Sequence, residues 1–424
     1  MGSQKLDRRK FLASSASAAG LAAAGLVLPG CGGSAKGGNV IKIFSSFPRT
    51  GSAQGQTDTI VNGVRMALDE YNNEVAGFKV EYTDLDDATA ATGNWTAEAE
   101  TANAQKAEAD PDVMAFIGPY NSGAASISMP ILNQAGLLQV SPAVTWPGLT
   151  KPGYKAGEPK AYQPSGKMNF CRVVPTDEIQ ALVGAAFIRD GLKKKRVYLI
   201  DDRQVYGKGV ADLFEKVAQM HVKEIEVVGR DGIDPSATDY KSLMLKIAAN
   251  NKPDVIYFGG TSQTNAGQIA KDLKAAIPGC PMVAPDGCYE QAFIKAAGAD
   301  AVNNLAYVTF GGVDPNKLTG PGKKFVDGYK AKYGKNPEAY AIYGYECGKV
   351  VMEAIKKVGK KDRDAIREAG LATKDFDQGA LGKWSFDANG DTTQANFTVS
   401  AVQNGDFQVA KEYGGDDIQK LQKS

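Results

Sequence analysis

The sequence predicts an α/β protein made of two doubly wound parallel-sheet lobes joined by a hinge that the chain crosses more than once. Three observations carry this. Short apolar runs of strand length alternate with amphipathic stretches of helix length, the pattern of a parallel sheet covered on both faces. The alternation stops over residues 146–167, where Pro147, Gly148, Pro152, Gly153, Gly157, Pro159, Pro164 and Gly166 form a loop or crossing, and then restarts. The chain has 424 residues, more than one hydrophobic core usually serves.

The elements follow in order. Residues 40–44 are a buried apolar run ending in the turn around Pro48 and Gly51, which predicts the first strand. Ile60, Val64, Ala67, Leu68 and Tyr71 recur at helical spacing. A strand is expected over 78–82, a helix over the Ala/Glu/Lys-rich 97–109, a strand over 113–117, a helix over 124–134 and a strand over 137–140. After the loop, strands are expected at 196–200, 224–228, 254–258, 281–284 and 305–310, with helices at 178–189, 209–220, 240–250 and 265–275. Helices at 322–333, 338–358 and 362–369 and strands at 383–386 and 396–402 complete the chain. This divides it into lobe 1 (40–166 and 306–395) and lobe 2 (167–305 and 396–424), with a cleft between them.

Composition narrows the chemistry. His221 is the only histidine, so a Ser-His-Asp triad has one possible base and a multi-histidine metal site has too few ligands. No metal and no cofactor is expected. With 49 Lys+Arg against 48 Asp+Glu, there is no electrostatic reason to expect nucleic acid or an anionic membrane surface as partner.

Residues 1–30 have a basic head, an apolar stretch and a small-residue exit, the layout of an export signal. The head contains Arg8-Arg9-Lys10-Phe11-Leu12, resembling a twin-arginine motif. The exit, Leu28-Pro29-Gly30-Cys31, resembles a lipobox, with Pro29 unusual there; it implies cleavage before Cys31 and lipid attached to its thiol. The alternative is a simple signal peptide. Residues 31–39 would be a glycine-rich tether. Losing Lys5, Asp7, Arg8, Arg9 and Lys10 leaves 45 basic and 47 acidic residues, a net charge of −2. Cys171, Cys280, Cys288 and Cys347 remain in a compartment where disulfides form. Cys280 and Cys288 are the first candidate pair, and four buried thiols the alternative.

Gly118 to Ala125 follows a strand and opens a helix, but Ala124-Ala125 replaces the Lys-Ser/Thr of a phosphate loop. What remains is a helix N-terminus with the Ser122 hydroxyl, suited to a carboxylate, or only a cap supplied by Asn121 or Ser122. Gly207-Lys208-Gly209 lacks the third glycine of a dinucleotide fingerprint. Asp84, Asp86 and Asp87 lack the glycine and terminal glutamate of a calcium loop and are expected to be a solvated loop. His221 is expected at the surface.

Several segments together resemble the type I periplasmic binding proteins, in particular the branched-chain amino acid (leucine/isoleucine/valine) receptors of ABC transporters. They are Thr50-Gly51 with Asn62-Gly63, Ile117 to Ser122, Gln139 to Thr145, Val205 to Gly209, Asp254 to Gly260, and Pro285-Asp286-Gly287 with Tyr289 to Phe293. The resemblance implies a lipid-anchored, monomeric receptor outside the cytoplasm that closes on one amino acid and presents it to a permease. It also implies that Ser122 and Thr145 bind the ligand carboxylate, the Ala143 carbonyl and the Asp286 carboxylate take the ammonium group, and Tyr206 closes from the second lobe. Phe47, Tyr120, Trp146 and Tyr206 are expected as pocket walls, with Asn121 beside them. Gln56 and Thr261-Ser262 stand where those receptors carry aromatic residues, which predicts a more polar pocket. The rivals are a receptor for another small polar solute, such as an amide, urea or an aromatic acid, and an exported carboxylate-based enzyme.

Overall fold

The computed structural model describes residues 39–423; the twin-arginine-like head, the apolar stretch and Cys31 lie outside the described residues. Six strands, β1 (Val40–Phe47), β2 (Glu74–Val75), β3 (Phe78–Asp86), β4 (Val113–Ile117), β5 (Leu138–Ser141) and β6 (Phe170–Arg172), form one sheet in the order β2-β3-β1-β4-β5-β6. All its pairings are parallel except the short β2–β3 hairpin. Seven more, β7 (Arg196–Asp201), β8 (Glu226–Gly232), β9 (Val255–Gly259), β10 (Met282–Ala284), β11 (Ala306–Gly311), β12 (Phe397–Gln403) and β13 (Asp406–Tyr413), form a second sheet in the order β13-β12-β11-β10-β9-β7-β8. The five strands from β7 to β11 run parallel, and β12 and β13 add an antiparallel edge.

Helices cover both sheets. On the first lie α1 (Gln54–Asp69), α2 (Ala97–Ala109) and α3 (Ser122–Gln134); on the second, α4 (Asp177–Asp190), α5 (Val205–Met220), α6 (Lys241–Asn250), α7 (Ala266–Ala276) and the short α8 (Gln291–Ala297) and α9 (Ala299–Val302). Then α10 (Gly320–Tyr333), α11 (Ala341–Val358) and α12 (Arg363–Leu371) return to the first lobe, where α11 packs along α1, and α13 (Gly415–Lys423) closes the second against α4. Both central sheets are sandwiched between helices, which is why β4 and β9 are buried at every position rather than alternating.

Each sheet reverses its winding once. In the first, the chain runs from β1 to β3 on one side and then to β4 on the other; in the second, from β7 to β8 and then to β9. The crevice at the carboxyl ends of strands flanking such a reversal is where open α/β sheets bind ligands, and the loops after β1, β4, β7 and β9 lie there.

Some expectations change. β6 belongs to the first sheet and β11 to the second, so the chain changes sheet after Arg172 and after Gly311 rather than at 166 and 305. Residues 383–386 form no strand; Phe376 pairs with Trp384 and Phe386 with Thr392 as single bridges. Cys280 and Cys288 are not bonded to each other, and all four described cysteines are free and buried. The reason is geometric: the two flank β10, and a strand rising roughly 3.3 Å per residue separates them beyond the ~5.5 Å Cα spacing of a disulfide. Each thiol points instead at a backbone carbonyl, Cys280 at Pro281 and Cys288 at Gly260. Nor is the Asp84–Asp87 segment solvated. Asp84 pairs with Arg49 at 3.0 Å, Asp86 accepts from the Arg49 and Ala88 amides and the Thr50 hydroxyl, and Asp87 is fully buried.

Candidate functional site

A cavity of about 20 Å³ lies between the two sets of loops, lined by Tyr120, Asn121, Ser122, Ala143, Tyr206, Thr261, Asp286, Gly287 and Tyr340. It is far smaller than the ~300–1,000 Å³ of typical small-molecule pockets, so the walls stand close together. Every wall except Tyr340 comes from just beyond the carboxyl end of a strand: Tyr120 to Ser122 after β4, Ala143 after β5, Tyr206 after β7, Thr261 after β9, Asp286 and Gly287 after β10. Tyr340 stands immediately before α11.

The turn after β4 is shaped by Gly118, whose φ of +123° is open to glycine alone in practice. A side chain there would also meet the Ser46 carbonyl, 2.5 Å from where its Cβ would stand. This turn delivers Asn121 to the N-cap of α3 with its side chain not capping the helix, so the first-turn N–H groups face the cavity without a side-chain acceptor. The Ser122 hydroxyl accepts from the Trp146 amide at 3.3 Å.

Asp286 is the electrostatic centre. It is 3% exposed, and its Oδ1 accepts from Gln180 Nε2 at 2.9 Å and from the Tyr206 hydroxyl, while Oδ2 accepts from the Tyr340 hydroxyl. Its amide in turn donates to Gln180 Oε1 at 2.8 Å. Burial raises its carboxyl above the usual range although these three hydrogen bonds oppose the shift. Asp177 lies nearby, its carboxyl pushed well up by burial and then by the charge of Asp286. No Lys or Arg lines the cavity, so a cation brought in by a ligand would meet uncompensated negative charge in a desolvated site.

Seven of the twelve residues singled out from the sequence line the cavity: Tyr120, Asn121, Ser122, Ala143, Tyr206, Thr261 and Asp286. Five do not. Thr145 is buried beside Asp177, and neither its hydroxyl nor Oδ2 of that carboxylate makes a well-formed hydrogen bond. Phe47 packs beneath Gly118. Gln56 spends its amide structurally, donating to the Tyr289 carbonyl at 3.1 Å and accepting from the Tyr340 amide at 3.2 Å. Trp146 turns its indole N–H to Glu158 at 3.1 Å and lays its ring over Gly209 of α5. Ser262 donates toward the Gly287 carbonyl. Tyr340 and Gly287 were missed; the only trace of the former is an aromatic run, Tyr340, Tyr343, Tyr345, at the start of a helix.

Behind the cavity, the 146–167 loop is tied down rather than free. Fully buried Arg172 donates to Asp391 at 2.7 Å, to the Val144 and Trp146 carbonyls at 3.1 and 2.8 Å, and to the Thr150 hydroxyl at 2.5 Å.

Two doubly wound lobes with an acidic, aromatic cavity between their switch points define a two-lobed small-molecule binding protein. Residues 40–406 match the periplasmic binding protein family, and the chain belongs to it. It is 29% identical to the Leu/Ile/Val-binding protein BraC3 of Rhizobium johnstonii, over 88% of this chain and 94% of that one. It is 26% identical to a leucine-, isoleucine-, valine-, threonine- and alanine-binding protein of Pseudomonas aeruginosa, over 85% and 89%. Among solved structures it resembles the leucine-binding protein LivK of Thermotoga maritima, with a TM-score of 0.77 at 28% identity over 89% of this chain and all of that one. The branched-chain amino acid binding protein LivJ of Streptococcus pneumoniae, in complex with isoleucine, gives 0.74 at 25% identity over 88% and 98%.

Proposed function

We propose that this protein is the extracytoplasmic receptor of an ABC importer, capturing an amino acid in the cleft and delivering it to a permease without covalent chemistry. The observation that carries this is the pairing of opposite demands across one small cavity. The uncapped N-terminus of α3 suits the ligand carboxylate, and Asp286, held by Gln180, Tyr206 and Tyr340, suits the ammonium group. In this reading Ser122 and Asn121 serve the carboxylate, the Ala143 carbonyl shares the ammonium group, and Tyr120, Tyr206 and Tyr340 wall the side chain. Relatives named as amino-acid-binding proteins support it. Gln56, which as a pocket residue would favour an amide or urea as ligand, has its amide engaged elsewhere. The mature protein is anchored through lipid on Cys31 and acts as a monomer. Among the described residues no helix is long and apolar enough to cross a membrane.

Calorimetry of the ligand-free protein against the twenty amino acids tests the reading. Saturable one-to-one binding of at least one is expected; binding of none overturns it. Mass spectrometry of the membrane fraction tests the anchor: acylated Cys31 is expected, and an unmodified thiol removes it.

A further inference from the structure

In the cavity wall, and behind it in residues that reach Tyr120 and Asn121, the structure leaves a set of buried polar atoms without partners. Tyr120 Oη, Asn121 Oδ1, Gln263 Nε2 and both carboxylate oxygens of Glu290 make no well-formed hydrogen bond among the described residues. An unmade hydrogen bond in such a place costs ~1–3 kcal/mol, and more for a charged group, so a cluster of them needs an explanation.

Glu290 is the hardest to explain structurally. It is 2% exposed and stands at the N-cap of α8, where its side chain makes no capping bond. No ion pair to it is formed among the described residues. Its neighbours are the Ser262 hydroxyl, Glu338 and the Tyr120 phenol. Burial pushes its carboxyl up to about 8, the Ser262 hydroxyl counteracting. Tyr120 links this group to the cavity: it lines the cavity wall, and its phenol is pushed well up by burial, then by the charges of Glu290 and Asp286. The unpartnered groups thus come from both lobes, Tyr120 and Asn121 from the first, Gln263 and Glu290 from the second. An aliphatic side chain placed among them would leave every one unsatisfied; a side chain rich in N–H donors would satisfy the acceptors.

We infer that Glu290 determines specificity and that the ligand is an amino acid whose side chain carries N–H donors (an amide, ammonium or guanidinium group) directed at Glu290 and Asn121. The inference rests on the amino-acid reading above. The zwitterion head belongs to Asp286 and the α3 terminus, and the side-chain end to Glu290, so the two ends are tested separately.

The experiment measures the affinities of leucine, glutamine, lysine and arginine for the ligand-free protein and for Glu290→Leu and Glu290→Gln. At least one of the three donor-bearing amino acids is expected to bind roughly tenfold or more tighter than leucine. Glu290→Leu is expected to erase that preference and improve leucine binding. Glu290→Gln, which keeps the shape, is expected to weaken lysine or arginine by roughly tenfold or more if either is the preferred ligand, and to leave leucine unchanged. Leucine binding tighter than all three, or an unchanged preference in both variants, overturns the inference while leaving the amino-acid receptor standing. Failure of every amino acid to bind overturns the receptor reading and this inference with it.

Discussion

Asn121 Nδ2 donates to Gln263 Oε1 at 2.9 Å, joining the loop after β4 in the first lobe directly to the loop after β9 in the second. In the proposed hinge-bending closure this bond would form as the lobes close and break as they open. Replacing Gln263 by Ala removes it. A neutral hydrogen bond contributes ~0.5–1.5 kcal/mol, so ligand affinity is expected to fall about two- to tenfold, through faster dissociation. The loss of the Gln263 side chain should leave the melting temperature of the ligand-free protein nearly unchanged. Stopped-flow dissociation and thermal melts check this; an unaltered off-rate would remove the latch.

A second closing contact is steric. A Cβ at Gly209 of α5 would stand 2.4 Å from the indole ring of Trp146, and Trp146 comes from the loop after β5 in the other lobe. Gly209→Val is therefore expected to prop the cleft open. Overpacking of this kind costs ~1–3 kcal/mol, and to the extent that it opposes the proposed closure, affinity should drop by about tenfold or more. Small-angle scattering of the ligand-saturated variant should show the more open form, and Gly209→Val combined with Trp146→Ala should restore compaction. A single variant as compact as wild type would show that Trp146 does not meet Gly209 on closing.

How much of this was legible in the sequence differs by kind of feature. The strands of the two sheet centres were, because burial on both faces makes them continuous apolar runs such as 113–117 and 254–258. β13 was not: its residues Asp406–Tyr413 form a sheet edge paired only to β12, with most positions exposed, so no apolar run marks it. β6 has three residues and is too short for any period. In the site, Ser122 is legible from the strand-to-helix turn around it, whereas Asp286 is marked only by the resemblance to known receptors. The roles of Gln56 and Tyr340 are not legible, because they depend on a contact between residues 284 positions apart, which no local pattern encodes. Glu290 belongs to the segment that carries the family resemblance, but nothing local in the sequence shows that its carboxylate is buried without a partner.

Asp286 offers the most direct test of the ligand's ammonium anchor. In Asp286→Ala the ammonium group would enter a cavity without its counter-charge, and Gln180, Tyr206 and Tyr340 would lose their shared acceptor. Hydrogen bonds to charged groups contribute ~1.5–3 kcal/mol each, so affinity should fall by at least about a hundredfold. Asp286→Asn, which keeps an acceptor oxygen, should lose less. Calorimetry decides: retained affinity in the alanine variant would place the ammonium group elsewhere.

The pair Arg172–Asp391 contributes stability that acid removes. Burial alone would raise the Asp391 carboxyl, but Arg172, Lys151 and Thr150 outweigh it and hold the group below the usual carboxylate range. In the unfolded chain it titrates near ~3.9. Over the interval between the two, the unfolded state binds more protons, so stability rises with pH. The contribution is fully present above about pH 4 and is lost as pH falls through the folded value. Asp391→Asn leaves fully buried Arg172 without its counter-ion, a change that costs ~3–5 kcal/mol, and it should free the loop around Thr150 that Asp391 also holds. Denaturant unfolding between pH 6 and pH 3 is expected to show wild type losing stability at the acid end. The variant, already destabilised at pH 6, should lose correspondingly less, so that the two curves converge. Parallel curves would show that this carboxylate does not carry the acid sensitivity.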